Sequence, residues 1–548
     1  MSSEVFSELQ KERAFPILTH EQITQLRPFG EVIEIRKDGM IWEPGIPNLC
    51  MFVVLEGQMG IQDPRTGQEI AIHGIGAFSG DIDVISGRPP IVQARAMTHM
   101  VLLEIPGEQV RHIVGEHPEL GDIILGAFIA RRAILQASNR AGIYILGSRY
   151  SPETLRIKEF LQRNRYPFIW DDVEVKEDVE KLLKEFRITE EETPFLWLPN
   201  GKQLRAPTLS QLAQELGLER PIDDKVYDLT IIGAGPAGLA AAVYGASEGL
   251  STLVLDRDGP GGQAGTSSRI ENYMGFPSGL SGQALADRAV NQAERFGAQF
   301  LVPIEVSGIT CADNGVHKVR VVGRPDILTR AVILTPGAIY RKLDLDNLAE
   351  FENKGVYYSA TNVERILCEQ ESVAVVGAGN SAGQAAVFMA ERSAHVFLVV
   401  RGDDLCKTMS SYLARRIEVM DKITVLLNSE ICALQGEHHL ETATIVDRST
   451  GQARTEALRG IFVMIGAVPR TDWLPEQIVC NDRGFVLTGQ ETVQAGLWKL
   501  ERPPFFLETS CPGVFAAGDA RCSSIKRVAS AVGEGSMAVA FVHQYLAG

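Results

Sequence analysis

The chain has 548 residues, with 53 lysines and arginines against 69 aspartates and glutamates, a net charge of −16. That acidic balance, without a long basic run, argues against nucleic acid as a partner. No apolar stretch approaches the ~18 residues of a membrane span, and the amino terminus lacks a signal-peptide pattern, so we expect a cytoplasmic protein. At about 150 residues per domain, the length predicts three or four domains. The eight cysteines contain no C-x-x-C pair, which excludes a zinc ribbon and a local redox dithiol, and we predict no metal site.

Short alternating segments in the first hundred residues predict a β-sandwich or jelly roll. Turns at Asp38-Gly39 and Thr66-Gly67 separate them, and a largely helical stretch from Gln109 to Gln136 follows. The predicted strands are Val32 to Ile35, Met51 to Leu55, Met59 to Gln62, Glu69 to Ile72 and Val101 to Ile105.

Residues 1–140 resemble a cyclic-nucleotide-binding domain, through Gly76-Ala77-Phe78-Ser79-Gly80-Asp81-Ile82 followed by Gly87-Arg88-Pro89-Pro90. In that family an acid meets the ribose and an arginine neutralises the cyclic phosphate. Here Asp81 stands at the acid position but Pro90 replaces the arginine, which removes a charge-assisted contact of about 1.5–3 kcal/mol. We therefore expect little or no cyclic-nucleotide binding and favour a structural or partner-binding role, with Arg88 and Arg95 as the candidate surrogate cations.

Residues 141–220 follow the element order of a thioredoxin or glutaredoxin, which they resemble. Thr193-Pro194 takes the place of that fold's cis-proline turn, and Asn200-Gly201 predicts a hairpin turn. The positions of the family's C-x-x-C read Ser151-Pro152-Glu153-Thr154, where a hydroxyl can cap a helix but cannot carry electrons. We predict a redox-silent spacer or docking module. The predicted elements are a strand at Gly142 to Leu146, a helix at Glu153 to Arg163, and strands at Phe168 to Trp170 and Phe195 to Leu198.

A dinucleotide-binding pattern opens the third region at Asp228. Gly233 permits a tight turn after a buried strand, Gly235 lets the backbone approach a pyrophosphate, and Gly238 lets the helix pack on the strand. The next strand ends in Asp256, about twenty residues beyond the glycines, where a carboxylate can accept hydrogen bonds from ribose hydroxyls.

From residue 221 to its end the chain resembles the low-molecular-weight thioredoxin reductases, flavoproteins whose FAD domain is split by an inserted pyridine-nucleotide domain. The resemblance implies a multidomain fold: a β jelly roll, a thioredoxin-like α/β domain, and two Rossmann-like α/β domains. It divides this region into an FAD part at 221–340, an NAD(P) domain at 341–468 and a second FAD part at 469–548. The matching motifs are Gly233 to Gly238, Gly259-Pro260-Gly261-Gly262-Gln263, Ile270 to Pro277, Thr335-Pro336-Gly337-Ala338 and Gly513 to Asp519.

By this resemblance the cofactors are FAD and NADPH, and the protein is a homodimer. Gln263 and Asn272 lie near the flavin ring and Asp519 bonds the ribityl chain. The expected FAD-binding residues are Gly233, Gly235, Pro236, Ala237, Asp256, Gly262, Gln263, Asn272, Val306, Thr335, Gly337, Gly518, Asp519, Arg527 and Val528. The last two belong to a Lys526-Arg527-Val528 sequence that replaces the family's Arg-Gln-Ala.

A second glycine turn follows the strand Ser372 to Val376, and the expected NADP-binding residues are Gly377, Gly379, Asn380, Ser381 and Arg401. Arg401 ends the next strand where an NAD-binding unit carries an acid, and a cation there suits the 2′-phosphate of NADPH. The family's further arginines are missing, and Lys407 is the candidate helper.

The decisive departure from the family lies where thioredoxin reductases have Cys-Ala-Thr-Cys. This chain has Ser359-Ala360-Thr361-Asn362, so hydride can pass from nicotinamide to flavin but no dithiol relays electrons to a disulfide. We assign no catalytic residue, and we favour a non-disulfide acceptor: an electron-transfer protein, a quinone or a small molecule. Two alternatives stay open at this point, a flavin-containing redox sensor and a thioredoxin reductase that uses other cysteines such as Cys522.

Overall fold

The structure is a computed structural model that describes residues 12–46, 50–138, 142–175, 189, 192–219, 222–267, 270, 273–312, 315–352, 354–358, 360 and 362–547. The chain divides into two compact units. The first comprises 1–148, 157–223 and 290–303, and the second comprises 149–156, 224–289 and 304–548. The division predicted from the sequence, four domains of which the FAD domain is split into two segments, stays a prediction.

The first unit begins with two antiparallel sheets, ordered β1-β7-β3 and β2-β6-β4-β5. Buried aromatic and aliphatic side chains fill the space on their inner faces, with Trp42 stacked on Phe52 at 5.8 Å. The strands are β1 (Glu31–Ile35), β2 (Met40–Trp42), β3 (Cys50–Glu56), β4 (Met59–Gln62), β5 (Glu69–His73), β6 (Gln93–Ala96) and β7 (Met100–Pro106). The expected jelly-roll strands are confirmed, while β2 and β6 were not predicted.

Helices cover one sheet of this β-rich part and form a second core around Phe78 and Phe128. They are α1 (His20–Leu26), α2 (Ile82–Ser86), α3 (Gly107–Glu116) and α4 (Pro118–Ser138). The predicted largely helical stretch from Gln109 to Gln136 is confirmed, and a break at His117, which was not predicted, divides it into α3 and α4. The residue before a proline is disfavoured in the helical region, and His117 has φ −116° and ψ 85° before Pro118.

A four-stranded sheet with the order β11-β10-β8-β9 completes the first unit. β8 and β9 are parallel, and β10 and β11 form an antiparallel hairpin at the predicted Asn200-Gly201 turn, where Gly201 has φ +81°. Thr193-Pro194 is cis, as the resemblance implied. The elements are β8 (Ile143–Gly147), α5 (Pro152–Arg163), β9 (Phe168–Asp172), β10 (Phe195–Trp197), β11 (Gln203–Arg205), α6 (Leu209–Glu215) and β14 (Gln299–Leu301).

The start of α5 confirms the predicted helix cap. Ser151 Oγ accepts a hydrogen bond from Thr154 N at 3.2 Å, and Ser151 O accepts one from Leu155 N. Residues 149–156 belong to the second unit, whereas the rest of α5 belongs to the first. The hydroxyl at the family's cysteine position thus has a structural role.

The second unit contains a sheet in which β13, β12, β17 and β28 are parallel, extended beyond β17 by antiparallel β16 and β15. Its strands are long apolar runs, because helices cover the parallel part of such sheets on both faces. The elements are β12 (Val226–Ile232), α7 (Pro236–Ser247), β13 (Thr252–Leu255), α8 (Gly262–Gly265), α9 (Gly282–Arg295), β15 (Val306–Thr310), β16 (His317–Val321), β17 (Ile327–Leu334), α14 (Gln490–Gln494), β28 (Val514–Ala516) and α15 (Val528–Ala547).

A second parallel sheet with the order β19-β26-β20-β21-β22 is inserted between these segments in sequence, together with the three-stranded antiparallel sheet β23-β24-β25 and the strand pair β18-β27. The elements are β18 (Ala338–Tyr340), α10 (Leu348–Phe351), β19 (Val356–Tyr357), α11 (Asn362–Leu367), β20 (Ser372–Val376), α12 (Asn380–Ala390), β21 (His395–Val399), α13 (Ser411–Glu418), β22 (Ile423–Leu426), β23 (Ser429–Gln435), β24 (Thr442–Asp447), β25 (Ala453–Ala457), β26 (Gly460–Val463) and β27 (Ala467–Pro469). Within the described residues, none of the helices combines the length and the apolar character needed to cross a membrane.

Candidate functional site

The first glycine turn joins β12 to α7 with the geometry that the sequence predicted. Gly233 has φ +105°, and a Cβ atom at this position would lie only 2.1 Å from Thr335 O. Thr335 itself is buried at the end of β17, and its Oγ1 donates to Gly233 O at 2.7 Å. Two neighbouring strand ends are therefore tied together at the turn.

Helix α7 begins at Pro236 with Gly235 as its N-cap, and no side chain caps it. The first N–H groups of an uncapped helix remain available to an anion. A Cβ atom on Gly262 would lie 2.9 Å from the Cα of Gly235, so the absence of a side chain at Gly262 lets the two backbones lie close together beside the helix terminus. A pyrophosphate fits such a backbone-lined cleft, with Pro236 and Ala237 in the first turn of the helix.

Asp256 follows β13 as predicted, but the protein backbone uses its carboxylate. Oδ2 accepts from Ala234 N at 2.7 Å, and Oδ1 accepts from Asp258 N at 2.9 Å and from Gly259 N at 2.8 Å. Burial raises the pKa of Asp256, against the lowering effect of these hydrogen bonds. A carboxylate has about four acceptor positions, so one remains for a ribose hydroxyl.

Three further predicted residues lie on segments that meet this turn. Gln263 in α8 donates from Nε2 to Ala338 O at 2.8 Å, just beyond Gly337, whose missing side chain faces open space. Val306 begins β15, two residues after Ile304, whose N–H donates to Asp256 O. These contacts connect four stretches of sequence around the cleft.

The carboxyl end of β28 supplies Gly518 and Asp519 to the same sheet edge. Gly518 N donates to Glu534 Oε2 at 2.7 Å, and Arg521 pairs with the other oxygen of Glu534 at 2.6 Å. Lys526 Nζ donates to Asp519 O at 2.6 Å. Burial raises the pKa of Asp519, while Lys526 acts to lower it. Neither Glu534 nor the Lys526 contact was predicted from sequence.

The remaining predicted FAD residues divide into two groups. Val528 is the first residue of α15. The side chain of Arg527, just before it, is exposed and has no hydrogen-bond or ion-pair partner in the part of the chain that the structure describes. Asn272 lies outside the described residues. The described residues thus bring Gly233, Asp256, Thr335 and Gly518 to one edge of the parallel sheet, an arrangement that suits FAD.

The second glycine turn repeats the first one between β20 and α12. Gly377 has φ +146°, and a Cβ atom there would lie 2.4 Å from Met464 O at the end of β26. Gly379 is the N-cap of α12, which no side chain caps, and open space surrounds its Cα. Ser381 is exposed in the first turn of α12.

The loop after β21 contains the residues expected to choose between coenzymes. Arg401 is exposed and has no partner among the described residues. Lys407 pairs with Asp403 at 2.6 Å, so the proposed helper cation already has an acidic partner. Asn380 Oδ1 accepts from Ser410 N at 2.7 Å, and Thr408 donates to Ala378 O. These two bonds hold the loop against the glycine turn, a contact that sequence analysis missed.

The position of the family's dithiol falls partly outside the described residues, since Ser359 and Thr361 are not described. Asn362 is the first residue of α11, and Cys368 follows this helix. Cys368 is fully buried, and burial raises its pKa to about 12. A thiol with that pKa is protonated at neutral pH and is a poor nucleophile.

One long-range disulfide joins Cys311 to Cys511, and the other six cysteines form no disulfide. Sequence spacing could not reveal it, because the two residues are 200 positions apart. Cys511 precedes β28 and therefore lies at the amino edge of the parallel strands, opposite the edge that carries Gly233, Thr335 and Gly518. The disulfide therefore joins the end of β15 to the segment before β28, away from the glycine turn.

In the first unit, the two predicted surrogate cations lie in different surroundings. Asp81 caps α2 and pairs with Arg132 at 2.7 Å. Arg88 is buried, donates to Asn164 O and lines the same cavity beside α2 as Asp81 and Pro90. Arg95 is exposed on β6.

Comparisons with known proteins agree with this geometry. Residues 227–535, more than half of the chain, match the family described as "Pyridine nucleotide-disulphide oxidoreductase", and residues 32–117 match the cyclic nucleotide-binding domain. The chain is 32% identical to a thioredoxin reductase of Bacillus subtilis over 325 residues, which are 59% of this chain and 96% of that protein. It is 30% identical to the enzyme of Listeria monocytogenes, covering 59% and 95%.

Solved structures give the same result. The thioredoxin reductase of Lactococcus lactis, in its FR conformation, aligns with a TM-score of 0.53 at 26% identity, covering 59% of this chain and 99% of that one. The T. acidophilum thioredoxin reductase aligns with the same score and identity. With two glycine turns, their parallel sheets and these matches, the chain belongs to the pyridine nucleotide-disulphide oxidoreductase family and is an FAD-dependent NAD(P)H oxidoreductase similar to thioredoxin reductase.

Proposed function

We propose that this protein oxidises NADPH and passes the electrons to an acceptor that is not a disulfide. The observation that carries the proposal is a pair of glycine turns, each leading into a helix that no side chain caps, in a chain with Ser359 and Asn362 at the family's cysteine positions. The chemistry that FAD supplies when bound is acceptance of a hydride and its onward release as electrons.

Binding in this proposal divides between the two clefts. The α7 amino terminus, Gly235 and Gly262 hold the pyrophosphate of FAD, and the remaining acceptor position of Asp256 takes a ribose hydroxyl. Asp519 and the neighbouring Gly518 bind the ribityl chain. In this proposal the protein groups orient the two cofactors and supply charge, and the flavin and the nicotinamide alone change oxidation state.

The preference for NADPH is supported by Arg401. Its guanidinium is exposed without a partner among the described residues, two residues beyond the last strand-paired position of β21, where a 2′-phosphate would lie. Lys407 contributes little to this preference, because Asp403 offsets its charge.

The acceptor is inferred from the cysteines. Disulfide exchange needs an accessible thiolate, yet burial raises the pKa values of Cys50 and Cys368 to about 12 and also raises that of Cys480. The proposed acceptor is an electron-transfer protein, a quinone or a small molecule, because Ser359 and Asn362 replace the family's dithiol. The homodimer stays a prediction.

Anaerobic titration of the purified full-length protein tests the coenzyme. NADPH should bleach the flavin band near one equivalent, and NADH should require a higher concentration. Steady-state assays then compare ferricyanide, a soluble quinone and thioredoxin as acceptors, with a bacterial thioredoxin reductase as the positive control for the last. We expect turnover with the first two and none with thioredoxin.

Thioredoxin reduction that persists in Cys522→Ser and in Cys311→Ser variants would overturn the proposal of a non-disulfide acceptor. Flavin that NADPH does not reduce would overturn NADPH oxidation itself. The double variant Ser359→Cys with Asn362→Cys asks whether the missing dithiol alone separates this protein from its relatives.

A further inference from the structure

A cavity of about 70 Å³ lies in the first unit, next to β5, α2 and α4. A single water needs ~10–15 Å³ of such space, so the cavity takes on the order of five non-hydrogen atoms. A nucleotide is several times larger than this. Most of the wall is apolar, and its aliphatic and aromatic residues include Trp42, Ile61, Ile70, Ile91, Val92 and Leu135.

His73, the last residue of β5, brings an unused polar group to this apolar space. Its side chain lines the cavity and the residue is only 4% exposed. Burial, together with the nearby charge of Arg131, lowers its pKa to about 3, so the imidazole is uncharged at neutral pH. Neither ring nitrogen has a hydrogen-bond partner among the described residues, and both keep accessible surface.

An uncharged imidazole has one donor nitrogen and one acceptor nitrogen. To leave such groups buried and unbonded is costly, and a ligand that hydrogen-bonds with them removes that cost. His73 therefore favours a ligand with a polar group that can reach its ring.

The charged side chains of the wall select against an ion. Two carboxylates, Asp81 and Asp83, line the cavity together with two guanidinium groups, Arg88 and Arg131. Arg132 pairs with both carboxylates, and two backbone carbonyl groups accept hydrogen bonds from Arg131. An anion in the cavity would lie beside the two carboxylates, and a cation would lie beside the two guanidinium groups. Because repulsion between like charges is strong away from water, we expect a neutral ligand.

A hydroxyl group on a short hydrocarbon chain meets all of these conditions. A hydroxyl both donates and accepts, so it can bond with either nitrogen of His73, whichever one carries the proton. Water molecules in the same space would each need two to four polar partners, which the apolar part of the wall does not offer. A hydrocarbon chain instead gains from contact with that part of the wall.

We propose that the cavity binds a short neutral aliphatic alcohol of about butanol size, with its hydroxyl on the ring of His73 and its chain against the apolar wall that includes Trp42 and Ile61. This assigns a small uncharged ligand to a domain whose family is named for cyclic nucleotides. The site lies wholly in the first unit, and the proposal does not depend on the acceptor of the flavin.

Saturation-transfer-difference NMR on the full-length protein tests this with 1-butanol as the probe. Butyrate and butylammonium serve as charged analogues of the same chain length, and cyclic AMP serves as the nucleotide control. We expect the wild type to bind 1-butanol at millimolar concentration or below, and to bind each control about tenfold more weakly or worse.

The His73→Phe variant keeps a ring in place and removes both nitrogens, so it should weaken 1-butanol binding about three- to tenfold. The matched control is His99→Phe, which changes an exposed histidine of the same unit and should bind like the wild type. If His73→Phe does not fold, Ala71→Leu, which adds volume to the cavity wall two residues away on β5, should abolish binding instead. Absence of 1-butanol binding in the wild type, equal binding of any control, or undiminished binding in a folded cavity variant would overturn the proposal.

Discussion

The two glycine turns of the second unit share one backbone design and differ in the residue that follows the next strand. Gly233 and Gly377 both have positive φ, and both leave space for a carbonyl oxygen of a neighbouring strand end. Asp256 follows β13 in the first turn, where its carboxylate accepts hydrogen bonds from three backbone N–H groups. Arg401 follows β21 in the second turn and stands exposed without a partner among the described residues.

We infer from this difference that Asp256 stabilises the protein itself, whereas Arg401 determines which coenzyme binds. The acid holds its own turn together and keeps one acceptor position, so its loss should damage the protein before any cofactor binds. The arginine holds nothing in the protein, so its loss should change only the ligand preference. The variants below test this contrast, from the largest expected effect to the smallest.

Gly233→Ala should give the largest effect. Its Cβ would meet Thr335 O at 2.1 Å in a backbone conformation that already disfavours side chains, so we expect a colourless and strongly destabilised protein. The control is Gly249→Ala, which has φ +88° but no atom within 4 Å of the added Cβ, and should cost only about 1–2 kcal/mol. Flavin absorbance and urea unfolding are the measurements.

The twin variant Gly377→Ala should keep the flavin and lose its reduction by NADPH, since the added Cβ would displace Met464 O in the second turn. Loss of FAD from this variant would show that the two turns are not independent.

Asp256→Ala should destabilise the apoprotein by about 3 kcal/mol or more, because it leaves three buried N–H groups without an acceptor. Asp256→Asn should cost less, since its amide oxygen can still accept from Asp258 and Gly259 N–H. Urea unfolding of flavin-free protein measures both. An unchanged apoprotein with weakened FAD affinity would mean that Asp256 serves the ribose alone.

Arg401→Ala should raise the KM for NADPH by about tenfold to a hundredfold and leave that for NADH unchanged, the value of a charge-assisted phosphate contact. Lys407→Ala is the matched control and should change either KM little, because Asp403 already pairs with this lysine. Equal effects of the two variants would contradict the assignment of selectivity to Arg401.

Asn380→Ala should have the smallest effect, about 1 kcal/mol or fivefold in KM. It removes the acceptor of Ser410 N and releases the loop from the turn. Both coenzymes should suffer alike, since the loop is displaced without loss of its charge. A defect confined to NADPH would instead place Asn380 on the 2′-phosphate.

Local patterns allowed much of this fold to be predicted. The glycine turns, the Ser151 cap and the Asn200-Gly201 hairpin each depend on a few adjacent residues, and each is found where expected. The helix break at His117 was missed, although Pro118 is a local signal for it.

What could not be predicted depends on partners far away in sequence. The sequence placed the Asp256 carboxylate after its strand. It did not predict that the N–H groups of Ala234, Asp258 and Gly259 donate hydrogen bonds to this carboxylate. Cys311 and Cys511 meet only because β15 and β28 lie in one sheet.

Strand β17 has a consequence for synthesis of the chain. Its second half pairs with β28, so Leu334 gains its strand partner only after Ala516 has been synthesised. The hydrogen bond from Gly518 to Glu534 forms later still. At ~5–20 residues per second, the ribosome needs about 10–40 s to make the intervening segment. During that interval the second half of one edge of β17 has no strand beside it, while the complete inserted nucleotide domain can fold. The flavin cleft is thus closed last, by the final part of the chain to be made.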